Sequence, residues 1–194
     1  MPKILHDYVF GFADFPNKLA VTLYFTGCNL SCPYCYNMGV VRGRTFHSLA
    51  AVAKALETTD KAMMGQKVGV VFSGGEPTAH PEFNNVIDHF RLEGRELSLH
   101  TNGMTKFRDV FSSIVLSIKT SQDGVKELTK YRQSLFHIIT EGCRNATYRE
   151  IRIVDDVRAR TERDVTVGVL RDVAIANNWR INKVKPQPTG GDNV

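Results

Sequence analysis

Six short apolar runs recur along the chain, at 19–25, 67–72, 96–100, 113–119, 148–154 and 181–185. Most are closed by a turn of glycine or polar residues, and helical spacing intervenes between them. This alternation constrains the fold more than any other feature, because strands joined by helical crossovers line up parallel in one sheet. Ser48 stands where an N-cap belongs, ahead of a helix predicted through position 61 with Leu49, Val52, Ala53 and Leu56 on one face. Phe83, Val86, Ile87 and Phe90 give the apolar stripe of a helix over 81–92. Further helices are predicted over 124–140, broken near Tyr131, over 162–177, and as a short turn near Phe107. The expected class is α/β with a mostly parallel sheet. Its ligands should gather at the C-terminal ends of the strands, where the best-marked polar motifs fall.

Hydrophobic residues make up 42% and charged residues 23% of the 194, a balance that supports one packed core, expected over 1–185 with a flexible tail at 186–194. No apolar run is long enough to span a bilayer and the first residues lack the apolar stretch of a secretory signal. A cytoplasmic chain without membrane attachment is the expectation. The net charge of +5 comes largely from late basic residues between Arg149 and Lys185. A solvated face is the ordinary reading of these, and a docking face for an acidic partner the sharper one. No aromatic residues interleave with them, so direct nucleic-acid binding is not expected.

The four cysteines are unevenly placed. Cys28, Cys32 and Cys35 lie within eight positions, just after the first predicted strand, while Cys143 is remote. Three thiolates in one loop can ligate three irons of a [4Fe–4S] cubane. The fourth iron is then open to a chelating amine and carboxylate, which the methionine end of S-adenosylmethionine (SAM) carries. Such a cluster can pass one electron to the sulfonium and release a 5′-deoxyadenosyl radical, the protein supplying position and dryness. A zinc-binding interaction module is the rival from another class. It would need a fourth ligand, and neither His47 nor Cys143 has paired spacing with the loop. Cys143 reads as a buried small residue.

The second motif is Ser73-Gly74-Gly75-Glu76-Pro77, closing the second predicted strand one βα unit later. Its glycines would let backbone approach a ligand closely, and its carboxylate and backbone groups could receive an amino group. On that reading, Gly75→Val should block SAM and leave the cluster assembled.

The order Cys-x3-Cys-x2-Cys and then Gly-Gly-Glu-Pro resembles the radical SAM superfamily. The stretch from Asp14 to Ala20, the words Tyr34-Cys35-Tyr36-Asn37 and Phe72 to Thr78, and Thr101-Asn102-Gly103 narrow the resemblance. It points to the glycyl-radical-enzyme activases, above all the activating proteins of anaerobic ribonucleoside-triphosphate reductase. It covers roughly residues 8 to 155 and implies a partial (βα)6 barrel. It also implies cluster ligation by Cys28, Cys32 and Cys35, and Tyr34 and Tyr36 beside the adenine of SAM. Gly74, Gly75 and Glu76 would stand at its amino group, and Asn102 at the mouth of the third strand. Lys119 would approach the SAM carboxylate or ribose. The implied partners are a glycyl-radical enzyme, with anaerobic ribonucleotide reductase foremost, and a one-electron donor such as flavodoxin or ferredoxin. So short a chain leaves little to close over a large substrate, as suits a protein loop inserted from a partner. His100 and Ser117 stand where several activases carry carboxylates that hold a monovalent cation, which puts that cation site in doubt. The runner-up is a small-molecule enzyme of the 7-carboxy-7-deazaguanine synthase kind, a group that often ends its cysteine loop with Cys-Asp, whereas Cys35 precedes Tyr36-Asn37.

Overall fold

The computed structural model describes residues 3–43 and 47–185; the expected tail at 186–194 lies outside them. In chain order the elements are β1 (Lys3–Gly11), β2 (Ala20–Phe25), α1 (Met38–Val41), β3 (His47–Ser48), α2 (Leu49–Ala62), β4 (Gly69–Gly74), α3 (Phe83–Leu92), β5 (Leu97–Thr101), β6 (Ser113–Ile118), α4 (Leu128–His137), β7 (Tyr148–Val154), α5 (Arg160–Ala176) and β8 (Arg180–Val184). All the strands belong to one open sheet in the order β3-β1-β2-β4-β5-β6-β7-β8. The six strands read from the sequence are its parallel part, each hydrogen-bonded to the next.

Their continuous apolar runs are what a parallel sheet covered by helices requires. Leu23, Phe72, Leu99 and Leu116 are fully buried. The stripe expected on α3 is buried in full at Phe83, Val86, Ile87 and Phe90. Phe25, Phe72, Phe83 and Phe111 meet there with ring centroids 5.6 to 6.3 Å apart, mostly edge to face. Ser48 caps α2 as its position suggested, its Oγ accepting from Ala51 N at 3.3 Å.

Three departures have local causes. The sheet gains β1, antiparallel to β2, and β3, antiparallel to β1. Their pattern is weak in sequence, but β2 is buried along most of its length and would otherwise be an unprotected edge. No helix forms near Phe107. Arg108 and Asp109 are drawn instead to Asp88 and Asn145, while the Phe107 ring packs 6.0 Å from Phe111. The 124–140 segment starts its helix only at Leu128, after Gly124 at φ 97°, and ends in a π turn over Ile138–Gly142. Tyr131 breaks nothing. It is buried in α4, its hydroxyl donating to Asn102 O at 2.8 Å and accepting from Lys119 N at 3.1 Å. That one side chain ties α4 to the ends of β5 and β6.

Candidate functional site

β2 and β4 run in register, with Phe25 beside Gly74, so their C-terminal extensions emerge together. From β2 comes the cysteine loop, and from β4 comes Gly75-Glu76-Pro77. Gly75 N donates to Phe25 O at 2.9 Å and Glu76 N to Gly27 O at 3.0 Å, so the two motifs are latched backbone to backbone. A Cβ on Gly75 would lie 1.7 Å from Gly27 O, and one on Gly74, whose φ is 104°, would lie 2.6 Å from Phe25 N and O. The closeness these glycines permit is therefore between the two loops, not only toward a ligand.

A cavity of about 260 Å³ opens at these strand ends. Cys28, Cys32, Cys35, Tyr34, Tyr36, Gly74, Gly75, Glu76, Asn102, Ser117 and Lys119 all line it. The fold thus brings together every site residue read from the sequence. Cys143 is not among them. It is buried in the main core, its thiol pushed up to about 12 chiefly by burial.

Several of these side chains are already engaged. Glu76 is 2% exposed; its Oε1 accepts from Thr101 Oγ1 at 2.6 Å and from Thr78 Oγ1 and N at 2.6 and 3.2 Å, while Oε2 accepts from Asn102 N at 2.7 Å. It braces β4 against β5 and keeps acceptor capacity at Oε2. Asn102 donates from Nδ2 to Asn29 Oδ1 of the cysteine loop at 2.7 Å. Tyr34 is buried, its O–H donating to Asp123 Oδ2 at 3.0 Å while Arg163 Nη2 donates to the Tyr34 oxygen at 2.5 Å. Lys119 Nζ sits 5.7 Å from the centre of the same ring. Tyr36, by contrast, is largely exposed at the mouth.

Asp123, Arg163 and Arg152 were not read from the sequence as site residues. Arg163 did leave a signal there, since it shares the buried stripe of α5 with Thr166, Leu170 and Ala174. His100 also lines the cavity. Its Nε2 faces Asp14 O at 3.2 Å, so Nε2 carries the proton; burial and the Arg152 charge hold its pKa down at about 4. The ring is neutral.

The model matching this chain is that of the radical SAM superfamily, over residues 22–156, more than half the chain. The chain belongs to the radical SAM superfamily. A protein of Methanocaldococcus jannaschii, named as a candidate glycyl-radical enzyme activating enzyme, is 27% identical over 133 residues, 62% of this chain and 51% of that protein. The 7-carboxy-7-deazaguanine synthase of Haemophilus influenzae is 30% identical over 88 residues, 44% of this chain and 36% of that enzyme. The chain spans about half the length, or less, of these curated relatives. Among solved structures, QueE from Escherichia coli superposes with a TM-score of 0.59 at 17% identity over 94% of this chain and 93% of that one, a likeness of fold.

Members of this superfamily use a [4Fe–4S] cluster and SAM. The donor set fits. Three cysteines from one loop line a single cavity, and among the described residues the sulfurs of Cys28 and Cys32 make only long hydrogen bonds, to Asn29 Oδ1 at 3.9 Å and Asp123 O at 4.0 Å. Burial pushes the Cys28 thiol up and the Cys32 thiol up to about 11, with Lys119 pulling the other way. Ligation to iron would hold these sulfurs as thiolates despite their burial. Among the described residues no three His, Cys, Asp or Glu side chains converge as they would on one ion. Cluster ligation asks less convergence, because each thiolate takes its own iron. No helix among the described residues is long and apolar enough to cross a membrane.

Proposed function

We propose that the protein is a glycyl-radical-enzyme activase whose partner is an anaerobic ribonucleotide reductase. The observation that carries the activase reading is the similarity to the Methanocaldococcus jannaschii protein across 133 residues, and the choice of reductase rests on the resemblance of the words around Cys28 and Gly74. On this reading Cys28, Cys32 and Cys35 hold the cluster, and Gly74, Gly75 and the Oε2 side of Glu76 receive the SAM amino group. Lys119 meets its carboxylate or ribose, Tyr36 covers its adenine at the mouth, and Asn102 and Ser117 complete the wall. Tyr34 would flank the same end of the ligand, its hydroxyl being committed to Asp123 and Arg163. When bound, the cluster would supply one electron, received from a donor of the flavodoxin or ferredoxin kind, for reductive cleavage of SAM to methionine and a 5′-deoxyadenosyl group that would take a hydrogen atom from a glycine Cα of the partner and end as 5′-deoxyadenosine. The chain's residues position that exchange and keep water from it.

The test is anaerobic reconstitution with iron and sulfide, addition of SAM, reductant and the candidate reductase, and an electron paramagnetic resonance spectrum. A doublet from Cα hydrogen coupling is expected, and it should vanish when the partner's radical glycine is changed to alanine. The match to 7-carboxy-7-deazaguanine synthase supports a second reading, turnover of a small molecule. SAM cleavage with no radical on the partner, together with such turnover, would transfer the assignment to it.

A further inference from the structure

The inner face of the parallel sheet is unusually polar on the side away from the cysteine loop. In register across the strands, His100 of β5, Val115 of β6 and Glu150 of β7 form one layer, and Ser117 of β6, Arg152 of β7 and Asn182 of β8 form the next. Cavities inside parallel sheets of this kind are ordinarily packed with branched apolar residues. A carboxylate buried in that position, as Glu150 is, needs a reason, because burying a charge costs free energy unless it is paired and hydrogen-bonded; its partner Arg152 keeps a third of its side chain exposed toward the space.

Glu150 is 5% exposed and engages Tyr148 Oη, Asn182 Nδ2 at 3.5 Å and Arg152 Nε at 2.7 Å. Among the described residues that is the only hydrogen bond the Arg152 side chain makes. Glu150 thus fixes the guanidinium by its Nε side, and the two terminal nitrogens remain a free fork. The residue borders the cavity, and its charge is felt by His100 and by Tyr36, which line the same space. Ser117, its direct neighbour across the β6–β7 pairing, makes no side-chain hydrogen bond of its own among the described residues and lines the same wall.

We propose that Arg152, held by Glu150 and assisted by Ser117, is the anchor for a carboxylate on the substrate. A planar two-nitrogen fork matches a planar two-oxygen group, and it does so with directionality that a lysine lacks. A phosphate cradle would instead draw on a run of backbone N–H groups, and those of β6 and β7 are committed to the sheet here. The inference rests on the superfamily's use of this cavity and holds whether the substrate is a polypeptide or a small molecule.

The test uses reconstituted holoenzyme with SAM present and radiolabelled malonate as the probe, in equilibrium dialysis at constant ionic strength set with sodium chloride. Wild-type protein should bind one saturable malonate. Arg152→Gln should weaken it by about tenfold or more, and Arg152→Lys, which keeps the charge beside Glu150 and so guards against misfolding, should weaken it nearly as much. Arg108→Gln, which removes an exposed ion pair with Asp88, is the control. Displacement of malonate by a glutamate-containing peptide blocked at both ends would assign the carboxylate to a polypeptide, and failure to displace it would assign it to a free acid. The proposal is overturned if wild-type protein binds no malonate, or if the Arg152 variants bind it as well as wild type. It is equally overturned if their SAM affinity falls in parallel, since the carboxylate would then be SAM's own. Glycyl-radical formation is not read in this assay, so the activase reading stands or falls separately.

Discussion

Arg163 and Asp123 form an ion pair sealed from solvent: Nη2 donates to Oδ2 at 2.7 Å, and both side chains are 0% exposed. The same Asp123 oxygen accepts from Tyr34 and from Thr120 N at 2.9 Å, and the guanidinium lies 4.9 Å over the Tyr34 ring. Tyr34 stands between Cys32 and Cys35. The cysteine loop is thereby fastened to α5 and to the turn after β6, a second anchorage besides the latch to Gly75 and Glu76.

Breaking such a pair leaves an uncompensated buried charge. Arg163→Met should cost about 3–5 kcal/mol in urea unfolding. The double variant Arg163→Met with Asp123→Leu should recover a large part of that, because both charges are gone. A double variant as unstable as the single would show that packing, not charge, is what Arg163 contributes.

Gly75→Ala should impair cluster loading itself, because its Cβ would meet Gly27 O at 1.7 Å and push the cysteine loop away. This replaces the simpler expectation that the change harms SAM alone. Gly11→Ala, with open space around its Cβ, is the matched control. Iron and sulfide content after anaerobic reconstitution decides: equal loading in both variants would remove the latch from the account.

Cys32→Ala should abolish bound cluster and 5′-deoxyadenosine formation, which chromatography reads directly. Cys143→Ala should spare both and cost about 1 kcal/mol of stability, since it removes one buried small side chain from the core. Full iron in the Cys32 variant would end the assignment of that ligand.

His100 gives a pH signature. Its folded pKa is about 4 against 6.5 unperturbed, so the unfolded chain takes up the proton first as pH falls. Its stabilising contribution is complete above pH 6.5 and is lost between there and pH 4, at most about 3 kcal/mol and less where cavity water reaches the ring. His100→Gln should flatten that part of the stability–pH curve measured by denaturant titration, and an unchanged slope would assign the acid sensitivity elsewhere.

The sequence by itself determined the parallel strands, the helical faces, the cysteine loop and the Gly-Gly-Glu turn, because each is written in local periodicity or in residues a few positions apart. It also determined that these motifs follow strands, which is why they meet at one end of the sheet. Only the tertiary structure decided what those residues touch. Gly75 is small for the sake of Gly27, 48 positions away in the chain. Tyr34 is committed to partners 89 and 129 positions off, and Glu76 spends most of its acceptors on Thr101, Thr78 and Asn102. Arg152 looked like one more basic residue in a basic stretch until the register of β6 and β7 set it beside Ser117 and above Glu150, facing the cavity. Burial and pairing across strands are properties of the assembled sheet. A side chain's charge is legible in sequence, but its environment is not, and the environment is what turns these residues into a site.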